Sequence, residues 1–483
     1  MEIYEKLAHP IAISIFLITL FLPVLIGFIS FKRTKNQSDF FVGGRAMDKF
    51  VVALSAVSSG RSAWLVLGVS GMAYKLGTSA VWAIVGYILV EMLQFVFIGT
   101  KLRIFTEKYN SLTLLDYFAT KFNDNKNLIR ITGAVILIFF FTAYVASQFN
   151  AGAKSLHAAL GFPVLICLVI SAILVLIYMV LGGYIAVVYN DVIRAIIMLI
   201  GLVILPVYGI IKSGGFSYFI DTLAGLNPSY IDPFSLSAGA IIGFLGIGLG
   251  SPGQPHIVVR YMSINDPDKL RFSAIIGTFW NVILGWGAIY VGLLGRTLFP
   301  LAENLPDKNP EMIYLLLSSE FFGPIFYGLL IGGIFAAILS TADSQLLVLA
   351  STLVRDIYEK IVKRNKPLHE NYKLKLSRII LLISGILSLI IGYFAKDQIF
   401  WLVLFAWGGL GASFGTSLIL SLYWKGANKY GITAGMIIGT TVTICWYFFF
   451  KKSTGIYELI PAFICACLAI IIVSLITKKE IYS

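Results

Sequence analysis

Charge is what this sequence lacks first. Only 13% of its 483 residues are Asp, Glu, Lys or Arg, against about 25% in a soluble domain, while 58% are hydrophobic. A water-facing surface cannot be built from that supply, so a lipid bilayer must act as solvent. Cysteine is also scarce. Cys167, Cys445, Cys465 and Cys467 all lie in apolar runs, with no metal spacing and no disulfide framework; they read as small buried apolar side chains. The four histidines form no His-Glu-x-x-His pattern, and His256 has no second histidine with which to relay protons. It reads as structural. A Gly-x-x-x-x-Gly-Lys-Ser/Thr phosphate loop is missing, which excludes a nucleotide-driven pump. With no nucleophile–base set either, the chain is not expected to be an enzyme or to hold an organic cofactor.

What the sequence has is length of apolar run. Thirteen segments approach or exceed the ~20 residues a helix needs to cross the hydrocarbon core. They lie near 10–32, 50–74, 79–100, 131–153, 163–181, 184–211, 237–260, 272–295, 322–355, 376–394, 398–424, 430–450 and 457–477. The first is too long, and lacks the basic flank, for a cleavable signal. The stretches 112–122 and 310–320 are amphipathic and are expected at the membrane interface, and 213–235 reads as the longest outer loop. The net charge of +13 is not a nucleic-acid signal, because most basic residues fall in alternate short loops. Lys32, Arg33 and Lys35, Lys101, Arg103 and Lys108, and Arg355, Lys360, Lys363, Arg364 and Lys366 are examples. By the positive-inside rule the N-terminus is outside and the C-terminus, past Lys478-Lys479, cytoplasmic. The expected setting is a plasma membrane, specifically a bacterial inner membrane; the expected partners are lipid and a small-molecule substrate, with the chain a monomer or weak oligomer.

Two spans are interrupted by small and polar residues near mid-depth: Ser55-Ala-Val-Ser-Ser-Gly-Arg-Ser-Ala63 and Gly246-Ile-Gly-Leu-Gly-Ser-Pro-Gly-Gln-Pro255. They stand at the first and sixth helices of a ten-helix core. Unwound backbone at that depth is tolerated only where it lines a cavity or meets a ligand. Interruptions at matching places in two halves point to a transporter's binding site. The glycines would otherwise serve only close helix packing. A membrane sensor is a remote alternative.

Ser38-Asp-Phe-Phe-Val-Gly-Gly-Arg45, Gly253-Gln-Pro-His-Ile257, Leu339-Ser-Thr-Ala-Asp-Ser-Gln-Leu-Leu347, Ala406-Trp-Gly-Gly-Leu-Gly-Ala-Ser-Phe-Gly415 and Ala434-Gly-Met-Ile-Ile-Gly439 occur in order along nearly the whole chain. Together they resemble the solute:sodium symporter family, most closely its sodium/proline branch. The resemblance implies an all-α polytopic protein with the leucine-transporter-like inverted five-plus-five repeat. Its parts would be an extra N-terminal helix and cytoplasmic loop (1–46), a first repeat (47–213), an external loop (214–236), a second, inverted repeat (237–424) and two C-terminal helices (425–483). It implies symport of a small organic solute with sodium by alternating access, the solute an amino acid such as proline or another carboxylate.

For sodium, the resemblance implies the hydroxyls of Ser340 and Thr341, with the carbonyls of Ala337, Ser58 and Arg61. For the solute, the candidates are Gly60, Arg61, Ser62, Trp64, Tyr144, Gln148, Ser251, Gln254, Pro255 and Trp407, of which Tyr144 and Pro255 match family positions near substrate. The chain also departs from the pattern. Gly60 and Arg61 stand where the proline symporters carry an aspartate and a methionine, Ile247 and Ser251 where they usually carry aromatics, and Phe405 where they carry an asparagine. A guanidinium at mid-membrane costs at least ~2.5 kcal/mol and needs a partner. Arg61 can replace the sodium ion as a tethered cation, bind a substrate carboxylate through its planar fork, or pair structurally with Asp343 or Glu91. The first of these would make transport sodium-independent. Asp191 and Arg194 read as a local i, i+3 pair, Asp191 matching an acidic family position linked with ion release.

Overall fold

The computed structural model describes residues 9–364, 366, 368–394 and 399–478. Residues 1–8 and 479–483, assigned above to opposite sides of the membrane, lie outside the described residues, as do 395–398 ahead of the span at 398–424. Among the described residues the chain is helical, apart from one isolated bridge between Met47 and Ile264. Ten helical stretches are long and apolar enough to cross a bilayer, and Lys49–Gly60 and Ala238–Gly253 are shorter apolar helices.

The main helices are α1 (Pro10–Phe31), α2 (Lys49–Gly60), α3 (Ser70–Leu76), α4 (Val81–Leu93), α5 (Leu128–Leu160) and α6 (Val164–Lys212). They continue with α7 (Gly215–Leu226), α8 (Ala238–Leu245), α9 (Pro255–Ser263), α10 (Leu270–Leu298) and α11 (Pro324–Ser351). Last come α12 (Glu370–Phe394), α13 (Ile399–Leu410), α14 (Lys429–Cys445) and α15 (Leu459–Ile476). At 1.5 Å per residue, the 49 residues of α6 are far too long for one crossing of a core ~30 Å thick. The helix is divided at Gly183, whose φ of 55° and ψ of −144° are non-helical. A Cβ there would run into the Phe40 ring. The continuous helical stretch Trp64–Lys108 turns in the same way at Gly77 (φ 69°), where a Cβ would meet the backbone of Tyr230.

Burial separates centre from periphery. The most apolar windows of Pro324–Val362 and Val403–Tyr423 are each 83% buried, those of α1, Lys429–Thr454 and α15 only 28%. α11 is therefore the axis, packed on α1, α5 and α6, while the first and last helices present Ile18, Phe21, Ile472 and Ile476 outward. Such outward apolar faces are stable only against lipid.

The two amphipathic stretches form the helices Leu114–Lys121 and Ile313–Phe321, but neither is laid on the surface. Leu114 to Ala119 are buried, because Asp116 accepts from Arg130 at 2.7 Å and faces Arg355 at 3.4 Å. Ile313, Tyr314 and Leu315 are buried too, and the turn before them seats the Pro310–Glu311 backbone on Gly71 of α3. Ion pairs hold the first stretch against the bundle, and apolar packing with a close backbone contact holds the second. The stretch 213–235 contains α7 and a short turn at Pro228–Tyr230.

Candidate functional site

The first interruption is narrow. Asp48 caps α2 by accepting from the Phe50 N–H at 2.9 Å, and the helix then runs to Gly60. Arg61 leaves it at φ −105° and ψ 63°. Helix resumes at Trp64, where the Ser62 hydroxyl accepts from the Trp64 N–H at 3.1 Å. The Ala63 N–H donates to the Gln148 side-chain carbonyl of α5 at 3.2 Å, and Ser62 and Tyr144 hydroxyls stand 3.5 Å apart. The freed donors are thus met by α5, as buried backbone requires.

The freed acceptors are met by α11. Ser340 donates its hydroxyl to the carbonyls of Ser58 and Ala337, both at 3.0 Å. Thr341 donates to the carbonyl of Ser59 at 2.9 Å and reaches that of Ala337 at 3.4 Å. Five neutral oxygens converge here with no carboxylate among them. Ser59, not Arg61, supplies the second carbonyl of α2 in these contacts.

The second interruption spans tightened turns from Gly246 to Gly253 and opens at Gln254 (φ −96°, ψ 95°), with Pro255 starting α9. Gln254 donates to the carbonyls of Gly250 (3.2 Å) and Trp407 (3.1 Å). The Trp407 indole donates to the carbonyl of Ile247 at 2.8 Å, and Ser251 donates to Gln94 at 2.6 Å. A Cβ on Gly250 would strike the Trp407 ring, so glycine is what lets α13 close over the break. Tyr87 lies between Trp407 and Trp64, ring centroids 5.4 and 6.3 Å away. Its hydroxyl fills the space beside Gly60, where a Cβ would collide with it.

Arg61 is turned away from the hydroxyl cage. Its Nε donates to the Asn281 side-chain oxygen of α10 at 2.9 Å, its guanidinium lies over the Tyr87 ring at 3.5 Å, and Nη2 faces Glu91 of α4 at 3.7 Å. Asn281 in turn donates its amide to Glu91. The other candidate partner, Asp343, is engaged elsewhere: Arg194 Nη1 and the Tyr178 hydroxyl both reach it at 2.6 Å. Asp191 also has a nearer partner than Arg194, which stands at 3.8 Å. Arg260 of α9 donates to Asp191 at 3.1 Å, and Ser55 and Ser59 do so at 2.6 and 3.1 Å. His256 is fully buried, with Phe141 and Tyr144 edge-on at 5.5 and 6.2 Å.

The structure therefore brings together nearly all of the residues singled out in the sequence, around the two breaks. Tyr87, Gln94, Arg260 and Asn281 were missed. Tyr87, Glu91 and Gln94 recur at helical spacing, so they form one polar stripe in an apolar helix. That stripe was a readable signal, because polar side chains on a membrane helix face the bundle interior.

A bundle with paired broken helices, satisfied from neighbouring helices, is the architecture of a secondary transporter. A solved structure of a Na+-coupled sialic acid symporter, in a substrate-bound outward-open state, matches with a TM-score of 0.83 at 20% identity, over 96% of this chain and 98% of that one. The fold is thus the leucine-transporter type with its inverted five-plus-five repeat. The Sodium:solute symporter family model matches residues 40–439. The osmoregulated proline transporter OpuE of Bacillus subtilis is 34% identical over 459 residues, covering 94% of this chain and 93% of that protein. A sodium/proline symporter of Staphylococcus aureus is 35% identical over 466 residues, covering 94% and 91%. The chain belongs to the sodium:solute symporter family.

Proposed function

We propose that this chain is a sodium-coupled symporter that moves a small organic solute, an amino acid such as proline or another carboxylate, inward across a bacterial plasma membrane. The observation that carries the reading is the cage itself. The hydroxyls of Ser340 and Thr341 and the carbonyls of Ser58, Ser59 and Ala337 converge on the point where α2 ends. Sodium is a hard cation that is held by oxygens, and hydroxyl and carbonyl oxygens supply dipoles without a fixed charge. The solute sits at the same break, against Ser62, Trp64, Tyr144 and Gln148. Both cargoes thus order the same few residues of unwound backbone, and each lowers the cost of binding the other, which is coupling in the thermodynamic sense.

Arg61 does not oppose this. Two unit charges 4 Å apart at an effective dielectric of 20 repel by about 4 kcal/mol, enough to exclude sodium if the guanidinium faced the cage uncompensated. Its placement against Glu91 makes the pair neutral. We propose further that the N-terminus is outside and the C-terminus cytoplasmic, on the strength of the basic loops, and that 47–213 and 237–424 are the two inverted repeats. Uptake of labelled proline and of an amino-acid panel into proteoliposomes, with and without an inward sodium gradient, tests the transport reading. Uptake indifferent to sodium would leave the runner-up, a sodium-independent carrier of the same fold with Arg61 as surrogate cation.

A further inference from the structure

We infer that the Arg61–Glu91 pair is the solute-recognition element of this chain, and that it selects a zwitterion, taking the carboxylate on Arg61 and the ammonium on Glu91. The inference rests on the transporter reading above and narrows its solute class.

Both side chains are 1% exposed, yet Arg61 Nη2 and Glu91 are 3.7 Å apart, beyond hydrogen-bonding distance. Neither Nη1 nor Nη2 of Arg61 has a hydrogen-bond partner. Structural Arg–carboxylate pairs commonly close as a bidentate fork. Here the fork is open, and a buried donor left unmade carries a desolvation penalty. The guanidinium is nonetheless held in place, by Asn281 at Nε and by the Tyr87 ring beneath it. A fixed cation with two idle N–H edges, beside a fixed anion, fits a ligand that brings the opposite dipole.

Charge balance selects among ligands. The pair is neutral. A zwitterion laid against it keeps the site neutral and supplies a carboxylate to the idle edges. A simple carboxylate would add an uncompensated charge to a dry site, which is costly. A sugar would bring no charge-assisted bond. The amide of Gln94, three residues past Glu91, has an idle Nε2, and Gln254 an idle side-chain oxygen; both belong to the second break, through Ser251 and Trp407, and offer further neutral contacts. The aromatic faces of Tyr87, Trp64 and Trp407 suit the apolar part of the solute.

The test is equilibrium binding to the purified full-length protein in saturating sodium. A panel of neutral L-amino acids identifies the tightest binder. That compound is then compared with its hydroxy-acid analogue, which lacks the ammonium, its decarboxylated amine, and glucose. The zwitterion is expected to bind roughly tenfold or more tightly than either half-molecule, the range of one charge-assisted hydrogen bond. In Arg61→Met/Glu91→Gln, which leaves no lone buried charge, that preference should collapse. An unchanged preference in the double variant would make the pair structural and overturn the inference. Arg61→Lys, which keeps the charge but loses the fork, gives a second reading: the zwitterion should still be preferred, with weaker affinity. Sodium-dependent binding of glucose but of no amino acid would also overturn the inference while leaving symport intact. Zwitterion preference that persists without sodium would support it and contradict the coupling.

Discussion

Two buried charge clusters flank the end of α2, and they are built differently. On one side Arg61 and Glu91 face each other at 3.7 Å, bridged by Asn281. On the other, Arg260 meets Asp191 at 3.1 Å and Arg194 meets Asp343 at 2.6 Å across α9, α6 and α11, and Ser55, Ser59, Ser344 and Tyr178 bond to the same side chains, although Nε and Nη2 of Arg194 have no hydrogen-bond partner. The second cluster joins α2, α6, α9 and α11 in one network and behaves as a clamp. The first leaves guanidinium edges free where the backbone is unwound. The lesson is that burial alone does not say what a membrane ion pair is for. Closure does: the closed cluster holds helices together, the open one is available to a ligand.

The largest effect should come from breaking the clamp. Arg260→Met leaves Arg194, at 3.8 Å, as the one cation facing Asp191 among the described residues, and removing one partner of a buried pair costs about 3–5 kcal/mol. Thermal unfolding in detergent should show a large drop in melting temperature. If Arg260→Met is as stable as the wild type while Arg61→Met is not, the roles of the two clusters are reversed. Next is Ser340→Ala. Losing one hydroxyl of the cage should weaken apparent sodium affinity roughly tenfold, within the 1–3 kcal/mol of an unmet buried group, with little change in melting temperature. Gly60→Ala should cost about 1–3 kcal/mol of stability from overpacking against the Tyr87 hydroxyl, less than the loss of the clamp. Tyr87→Phe, which removes that hydroxyl, should restore most of the loss in a double variant; no rescue would mean the collision lies elsewhere.

The smallest effect lies outside the spans. Burial raises the Asp116 carboxyl, but Arg355 and Arg130 together outweigh it and hold it below the usual range. A depressed carboxylate contributes stability that is present above its unfolded value, about 3.9, and is lost as pH falls through the folded value. The wild type should therefore lose stability below about pH 4, and Asp116→Asn should flatten that limb. An identical acid limb in the variant would remove Asp116 from the account.

How much of this was legible follows from the range of each signal. The breaks were readable because Gly, Ser and Pro in an apolar run are a local pattern. That Arg61 needed a partner was readable from the cost of a charge in lipid. Which partner it takes was not, because α4 and α11 meet α2 only through the fold. The Asp191–Arg194 spacing suggested a local pair, whereas the shorter contact is with Arg260, 69 residues away. That the Ser59 carbonyl faces Thr341 was not readable, since the last residue of a helix depends on what caps it. The burial of 112–122 against the rest of the bundle was not readable for a similar reason: Arg130 and Arg355 come to Asp116 from other elements.

The central claim is that sodium binds at the Ser340–Thr341 cage because Glu91 neutralises Arg61. The most direct measurement is initial solute uptake into proteoliposomes against external sodium for the wild type, Ser340→Ala, Glu91→Gln and Arg61→Met. Wild-type uptake should rise and saturate with sodium, Ser340→Ala should need far more sodium, and Glu91→Gln, with its arginine uncompensated, should also need more. Wild-type uptake that is unchanged when choline replaces sodium, together with a sodium requirement gained by Arg61→Met, would contradict the claim and make Arg61 the resident cation.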